Sequence, residues 1–191
     1  MKQEPIKEVR VGNQILRIFY DDLSDSPREW DNLTKMIFTD KYQKFGDKHT
    51  LIFAEHYNSR EDFIKKGEIE VKRHFKDVVI CKPVYLYGHS GTVGFSVVTK
   101  ADLQKEHSTK RITKQMIRDA DNILDAEVEI LNQYITGSIY RFNVVSVIKC
   151  SEGHEYEKIE DSCGGLYGND IYTCGISESI GEELKAAFEA S

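Results

Sequence analysis

The stretch TKQMIRDADNILDAEVEILNQYITGSIYRFNVVSVIK, residues 113–149, contains the two clearest regular patterns in the chain. From about Thr113 to Ile135, apolar residues recur at steps of three and four, which predicts an amphipathic helix that Gly137 can end. Residues 138–149 are rich in Val, Ile, Tyr and Phe, which predicts a long strand. A long helix that leads directly into a long strand is therefore the centre of the expected fold.

The segments on either side of this stretch predict shorter elements. Strands are expected at residues 9–11 and 15–20, joined by a Gly12-Asn13 turn, at residues 77–87 and 93–98, and at residues 155–162. Helices are expected from Arg60 to about Phe75, where Gly67 can cause a break, from Lys100 to about Glu106, and after Ser177. Because strands and helices do not alternate regularly, we expect an α+β fold: a mainly antiparallel sheet packed against one long helix, with additional short helices.

Length and composition indicate a single globular domain over residues 1–191, since 40% of the 191 residues are apolar. No apolar stretch approaches the roughly 20 residues of a membrane span, and the N-terminus lacks the apolar region of a signal peptide. We therefore expect a soluble, cytoplasmic protein without a membrane partner. The four cysteines are widely spaced, which predicts reduced thiols.

The formal net charge of -6 conceals an uneven distribution of charge along the chain. Residues 1–118 contain 22 Lys+Arg and 17 Asp+Glu, whereas residues 119–191 contain 4 and 15, a balance of -11. The electric field of so acidic a segment attracts cationic surfaces and repels phosphates. We therefore expect the acidic part to bind basic protein and no free nucleic acid.

The candidate contact residues are five acids along the long helix and two aromatic residues in turn-rich segments. They are Asp119, Asp121, Asp125, Glu127, Glu129, Trp30 and Tyr167. The acids form either an ordinary solvated helix face or a surface for a cationic partner. The two aromatic residues either anchor an interface or pack against their own loops. A basic run from Lys100 to Arg118 is likewise either a solvated face or a contact to nucleic acid that a partner holds.

An enzyme is the alternative hypothesis. The turn Gly88-His89-Ser90-Gly91 does not match the G-x-S-x-G nucleophile elbow, and adjacent residues on an extended chain point in opposite directions. Cys163 precedes two glycines whose N–H groups could stabilise an oxyanion, with His89 or His154 as the base. A small hydrolase or nucleotide-modifying enzyme would use His89 with Cys163 or Ser90, and it would require these residues to converge with Asp161 in one cleft.

Metal binding is not indicated by the spacing of the histidines. His49, His56, His89 and His154 do not show the separation of one helical turn that is typical of paired ligands. We therefore expect neither a metal ion nor a cofactor.

Six motifs occur in order over roughly residues 26–168: SPREWDNL (26–33), GDKH (46–49), YLYGHSG (85–91), VGF (93–95), EILNQYITG (129–137) and DSCGGLYG (161–168). With these motifs the chain resembles a protein family carried by phages and plasmids of Firmicutes and gut bacteria. In that family a longer loop with a Cys-Pro-Trp-Asp-Ser-Gly-like segment usually separates the third motif from the fourth, whereas here only Thr92 lies between them. A role that depends on that loop is therefore not implied for this chain.

The resemblance implies a small accessory protein that disarms host immunity, similar to the inhibitors of type II CRISPR effectors. It implies an anti-CRISPR protein in the host bacterial cytoplasm, with a Cas9-type nuclease or its nucleoprotein complex as the partner. Such nucleases hold nucleic acid in positively charged channels, which an acidic surface can occupy in place of phosphates. The resulting hypothesis is a counter-defence protein that inhibits by binding and without catalysis.

Overall fold

The computed structural model describes residues 3–22, 24–53 and 57–191. The strands are β1 (Lys7–Val11), β2 (Gln14–Tyr20), β3 (Lys35–Phe38), β4 (Val78–Tyr85), β5 (Thr92–Thr99), β6 (Ile139–Lys149) and β7 (Glu155–Tyr167). The α-helices are α1 (Arg60–His74), α2 (Lys100–Glu106), α3 (Lys114–Thr136), α4 (Ile176–Ser179) and α5 (Glu182–Glu189). None of the helices in these ranges combines the length and the hydrophobicity needed to cross a bilayer.

Contacts within the chain divide it into two compact units. The first unit consists of Met1–Asp25 and Thr136–Ser191, and the second consists of the intervening residues, Ser26–Ile135. Each unit has its own antiparallel sheet and its own buried apolar residues. The single domain expected from the length stays a prediction.

The sheet of the first unit has the strand order β1-β2-β6-β7, and all neighbours are antiparallel. Gly12 has a φ of 59° in the turn between β1 and β2, a conformation that glycine adopts without strain. One face of the sheet packs against the C-terminal segment, where Leu16 and Phe142 join Leu184 and Phe188 of α5 in a buried cluster. The C-terminal helices therefore complete the core of this unit.

The sheet of the second unit has the order β3-β5-β4 and lies between two helices. Ile37 belongs to a buried cluster with Phe63 of α1, whereas Met36 and Phe38 belong to a cluster with Leu131 of α3. Adjacent residues of a strand point to opposite faces of a sheet, so α1 and α3 cover opposite faces. This arrangement fixes the long helix against the sheet along much of its length.

The predicted α+β class, with antiparallel pairing and one long helix, is confirmed, and α3 differs from its predicted bounds by one residue at each end. The structure has two sheets where one was expected. α1 continues through Gly67, which is buried; a Cβ at this position would lie 2.6 Å from Cε2 of Phe95. The glycine therefore serves a close approach to β5 and does not break the helix.

Candidate functional site

The acidic row along α3 is largely engaged within the second unit. Lys82 forms ion pairs with Asp121 at 2.8 Å and with Asp125 at 3.0 Å. Burial lowers the pKa of Lys82, but hydrogen bonds to the two carboxylates outweigh it and leave the pKa raised. Gln115 donates to Asp119 at 2.7 Å, and the Tyr87 hydroxyl donates to Glu129 at 2.8 Å. These acids therefore offer less uncompensated charge to a partner than the sequence suggests.

Glu127, the remaining acid of the row, is part of a buried charge network. Its side chain is 12% exposed and pairs at 2.9 Å with Arg28, whose side chain is 5% exposed. Arg28 also pairs with Asp47 at 2.7 Å and donates to the carbonyl of Thr34. Glu127 therefore has a structural role, since a buried arginine holds its carboxylate, and its contact with a partner stays a prediction.

The Arg28 network gives a structural role to two of the sequence motifs. Glu127 accepts hydrogen bonds from the backbone N–H of Leu33 and from the hydroxyl of Thr34, and Asp47 accepts one from the N–H of Met36. The SPREWDNL and GDKH segments are thereby tied to each other and to α3. Arg28 and Asp47 were not predicted as functional residues, because nothing in the local sequence shows that charges so far apart will meet.

The two aromatic candidates occupy different units and different environments. Trp30 follows a 3-10 helix at Pro27–Glu29 in the second unit and is 48% exposed. Tyr167 lies at the end of β7 in the first unit, is half-buried, and donates to the backbone carbonyl of Asp25 at 3.3 Å. The surroundings of Tyr167 therefore resemble loop packing, whereas Trp30 has the exposure that an interface anchor needs.

The residues of the enzyme hypothesis are not contained in one unit. His89 lies in the turn between β4 and β5 of the second unit, with its ring 5.0 Å from that of Tyr42. Cys163 and Asp161 lie on β7 of the first unit, where Asp161 accepts from the N–H of Ser162 and the Cys163 thiol faces the carbonyl of Gly164. His56 lies outside the described residues. His89 and Cys163 therefore do not share a unit. The alternative base, His154, lies in the first unit, but it precedes β7 and is nine residues from Cys163, about 30 Å along an extended strand.

The glycines after Cys163 hold a carboxylate of the protein itself. The N–H of Gly165 donates to Asp21 at 2.8 Å, and a Cβ on Gly164 would lie 2.7 Å from the same oxygen. Gly165 has a φ of 68°, and the register shift between Tyr140 and Phe142 places a β-bulge here. In the enzyme hypothesis this N–H would donate a hydrogen bond to the oxyanion of a reaction intermediate. In the structure it already donates to the carboxylate of Asp21.

All four cysteines are free, as predicted. Burial raises the pKa of the Cys81 thiol to about 12, and burial likewise raises that of Cys174. Cys150 and Cys163 are exposed.

In the part of the chain that the structure describes, no group of three or more His, Cys, Asp or Glu side chains is arranged to hold a metal ion.

The excess of acidic residues belongs to the first unit. That unit contains 8 Lys+Arg and 15 Asp+Glu, whereas the second unit contains 18 and 17. We use the term acidic surface for the exposed acids of the C-terminal half of the first unit: Glu152, Glu155, Glu157, Glu160, Asp161, Asp170, Glu178, Glu182, Glu183 and Glu189. The basic run of the second unit is also exposed at Lys100, Lys105, Lys110, Arg111, Lys114 and Arg118.

Within the acidic surface, β7 has the most unusual environment. Every residue from Glu155 to Gly165 is exposed, including the apolar side chain of Ile159 at 61%. A strand with one face on a core normally alternates between buried and exposed residues. The sequence predicted a strand here but not its exposure; the run of charges in EYEKIED is typical of a sheet edge and could have indicated it.

Comparisons with models of protein families, with curated proteins and with solved structures found no match to this chain.

Proposed function

We propose that this protein is a non-catalytic inhibitor from a phage or other mobile element, which binds a Cas9-type RNA-guided nuclease through the acidic surface of its first unit. The observation that carries the proposal is the separation of charge: the first unit has 15 acids against 8 basic residues, and the second is nearly balanced. The excess negative charge is concentrated on one structural unit, and its electric field attracts cationic surfaces.

The chemistry of such a surface is compatible with the partner class that the resemblance implies. RNA-guided nucleases use positively charged channels to hold nucleic acid and arginines to read the PAM, so their basic residues are accessible before nucleic acid is bound. Carboxylates can pair with the same guanidinium and ammonium groups that otherwise bind phosphates. The acids on α3 belong to the second unit, and three of them pair with Lys82 or Arg28, so they are not part of this surface.

The test is binding to Cas9, without guide and with guide bound, over a range of salt concentrations. We expect an affinity that falls as salt rises and that is higher without guide, because screening and occupied channels both weaken the attraction. DNA cleavage by the guide-loaded enzyme, measured with inhibitor added before the guide, reports inhibition. Absence of binding, or binding that salt does not weaken, would contradict the proposal.

Charge-reversal variants locate the surface. Glu152→Lys with Glu178→Lys changes two exposed acids of the first unit and should weaken binding about tenfold or more. Asp31→Lys with Glu106→Lys makes the same change of net charge at exposed positions of the second unit and should change affinity less than about threefold. Equal effects of the two variants would show that net charge, and not this surface, governs binding.

A further inference from the structure

The basic run of the second unit, residues 100–118, has an excess of positive charge that the rest of the unit does not share. It contains six Lys and Arg and two acids, whereas the remainder of the unit contains 12 and 15. All six cations of the run are exposed. The near-balance of charge in the whole unit therefore conceals a local cationic surface.

Acids of the protein compensate few of these six cations. In the part of the chain that the structure describes, Lys105 alone among the six forms an ion pair, with Asp31 at 3.7 Å. The two side chains of this pair are 83% and 94% exposed, so the pair is weak and the ammonium group stays accessible. Asp102, one of the two acids of the run, pairs with Lys35 instead.

The other helix of the unit that is rich in basic residues, α1, differs in this respect. It contains five Lys and Arg together with four acids. Two of its lysines form ion pairs one helical turn away, Lys66 with Asp62 and Lys72 with Glu68. Because α1 covers the opposite face of the sheet from α3, it provides exposed cations of the same unit outside the basic run.

Contacts of α2 and α3 hold the basic run in a defined conformation. Leu103 of α2 and Leu124 of α3 are buried in one cluster. Between the helices, the side chain of Gln104 donates to the carbonyl of Lys110 at 2.8 Å, and the N–H of Thr109 donates to the carbonyl of Gln104 at 3.1 Å. Since these contacts order the backbone before a ligand arrives, less conformational entropy is lost on binding.

Two cations at the start of α3 are not explained by the stability of the helix. The first turn of α3 contains no acid and begins with Lys114, although the helix dipole favours acids there. Lys114 and Arg118 are one turn apart on the same side of the helix, about 6 Å along its axis. Arg118 donates to Gln115 at 2.6 Å and has further donors. Successive phosphates of a duplex strand advance about 3.4 Å along its axis, so the two cations can contact different phosphates of one strand.

We propose that the basic run, on α2, the connection and the first two turns of α3, binds the phosphate backbone of a nucleic-acid duplex. The net charge of -6 repels phosphates at a distance, but within about 10 Å, the Debye length at 0.1 M salt, the local cations dominate. Contacts to phosphates position a duplex and do not read its sequence. This inference goes beyond the proposed function and does not depend on it, because it concerns the second unit and a ligand of opposite charge.

The composition of the run favours a duplex over a single strand. Proteins that bind single strands combine cations with aromatic side chains on which the bases stack. Residues 100–118 contain no Phe, Tyr or Trp. The run therefore provides the groups that contact phosphates and lacks those that hold unpaired bases.

The test uses the intact protein and labelled DNA and RNA duplexes of about 20 base pairs, with fluorescence anisotropy from about 50 to 200 mM salt. We expect binding in the micromolar range at the lowest salt. The logarithm of the association constant should fall with the logarithm of the salt concentration with a slope of about -4, because each phosphate contact contributes about -0.9. The duplex that binds more tightly identifies the source of the phosphates. A single strand and polyglutamate should bind at least about fivefold more weakly.

A matched pair of variants locates the surface. Lys110→Gln with Lys114→Gln should weaken duplex binding about tenfold and reduce the magnitude of the salt slope by about 2. Lys65→Gln with Arg73→Gln removes two exposed cations of α1 and changes net charge equally, so it should weaken binding less than about threefold.

Four results would overturn the inference. Two of them are the absence of duplex binding at about 50 mM salt and equal effects of the two variants. A single strand that binds as tightly as the duplex would indicate recognition of bases. Polyglutamate that binds as tightly would indicate an acidic protein as the occupant. Circular dichroism of both variants shows whether they keep the wild-type fold, so a loss of binding is assigned to the removed cations.

Discussion

Nη1 of Arg28 lies 2.9 Å from Oε2 of Glu127, and neither side chain is more than 12% exposed. The pair joins a segment near the start of the second unit to the middle of its long helix, 99 residues away in sequence. A buried ion pair of this kind contributes little net stability compared with apolar residues of the same volume. Removing one partner, however, leaves the other as an uncompensated buried charge.

Arg28→Ala should therefore lower the free energy of unfolding by about 3–5 kcal/mol. Denaturant unfolding followed by circular dichroism measures this change. The control is Lys105→Ala, because Lys105 and Asp31 form an exposed pair at 3.7 Å whose loss should cost less than about 1 kcal/mol. A cost below about 1 kcal/mol for Arg28→Ala would show that the network does not stabilise the fold.

Gly67→Ala should destabilise the protein although alanine is the better helix former. Helix propensity alone favours the substitution by about 1 kcal/mol. The added Cβ would lie 2.6 Å from the ring of Phe95, and such overpacking typically costs about 1–3 kcal/mol. Gly181→Ala is the matched control, since no atom lies within 4 Å of a Cβ there and its φ is -63°. A thermal unfolding midpoint that rises for Gly67→Ala would contradict the packing of α1 on β5.

Asp102→Asn should make the unfolding free energy less dependent on pH in the acidic range. Burial raises the pKa of Asp102, but hydrogen bonds from Lys35 and Thr99 outweigh it and lower the pKa overall. A carboxyl whose pKa is lower in the folded state stabilises the fold above its unfolded pKa. That contribution is lost as pH falls from about 4 through the lower folded value.

The wild type should therefore lose more stability than Asp102→Asn between about pH 5 and pH 2. At pH 7 the variant should itself be less stable by about 1 kcal/mol, because Asp102 and Thr99 form a capping box at the start of α2. Glu106→Gln, an exposed change in the same helix, is the control. If the unfolding free energies of the wild type and of Asp102→Asn changed equally with pH, the Asp102 carboxylate would not be the cause of the acid sensitivity.

Thiol labelling should divide the cysteines into two classes. Cys150 and Cys163 are exposed and should react rapidly with a disulfide reagent at pH 8. Cys81, with a pKa of about 12, has a thiolate fraction on the order of 10⁻⁴ at that pH and should react far more slowly, as should buried Cys174. Denaturant should make all four reactive. Mass spectrometry of the partly labelled protein identifies the modified cysteines. Early modification of Cys81 would contradict its burial and its raised pKa.

The sequence alone predicted the elements that have strong local patterns. The long helix, the β1–β2 hairpin and the β4–β5 pair have periodicity, turn residues or caps that do not depend on distant contacts. β3 was not predicted, since a strand of four residues is too short to show a period, and its pairing with β5 is a long-range contact. The division into two sheets was missed for the same reason.

The surroundings of the candidate site residues depend on contacts that the sequence does not show. The acids of α3 form a row in the sequence, but Lys82 and Arg28, which pair with Asp121, Asp125 and Glu127, come from distant segments. Conversely, the exposure of β7 was not predicted, although the run of charges in EYEKIED is typical of a sheet edge. Charge composition led to the hypothesis of a cationic partner, and tertiary contacts determine which acids remain exposed.

The discontinuous first unit has a consequence for biosynthesis. β2 ends at Tyr20, but its partner β6 ends at Lys149, and all 110 residues of the second unit are translated between the two segments. At about 5–20 residues per second, β2 waits roughly 6 to 26 s on the ribosome before pairing is possible. During this interval Leu16 and Ile18 lack the strand that buries them, so the nascent N-terminal hairpin exposes apolar side chains that a chaperone can cover.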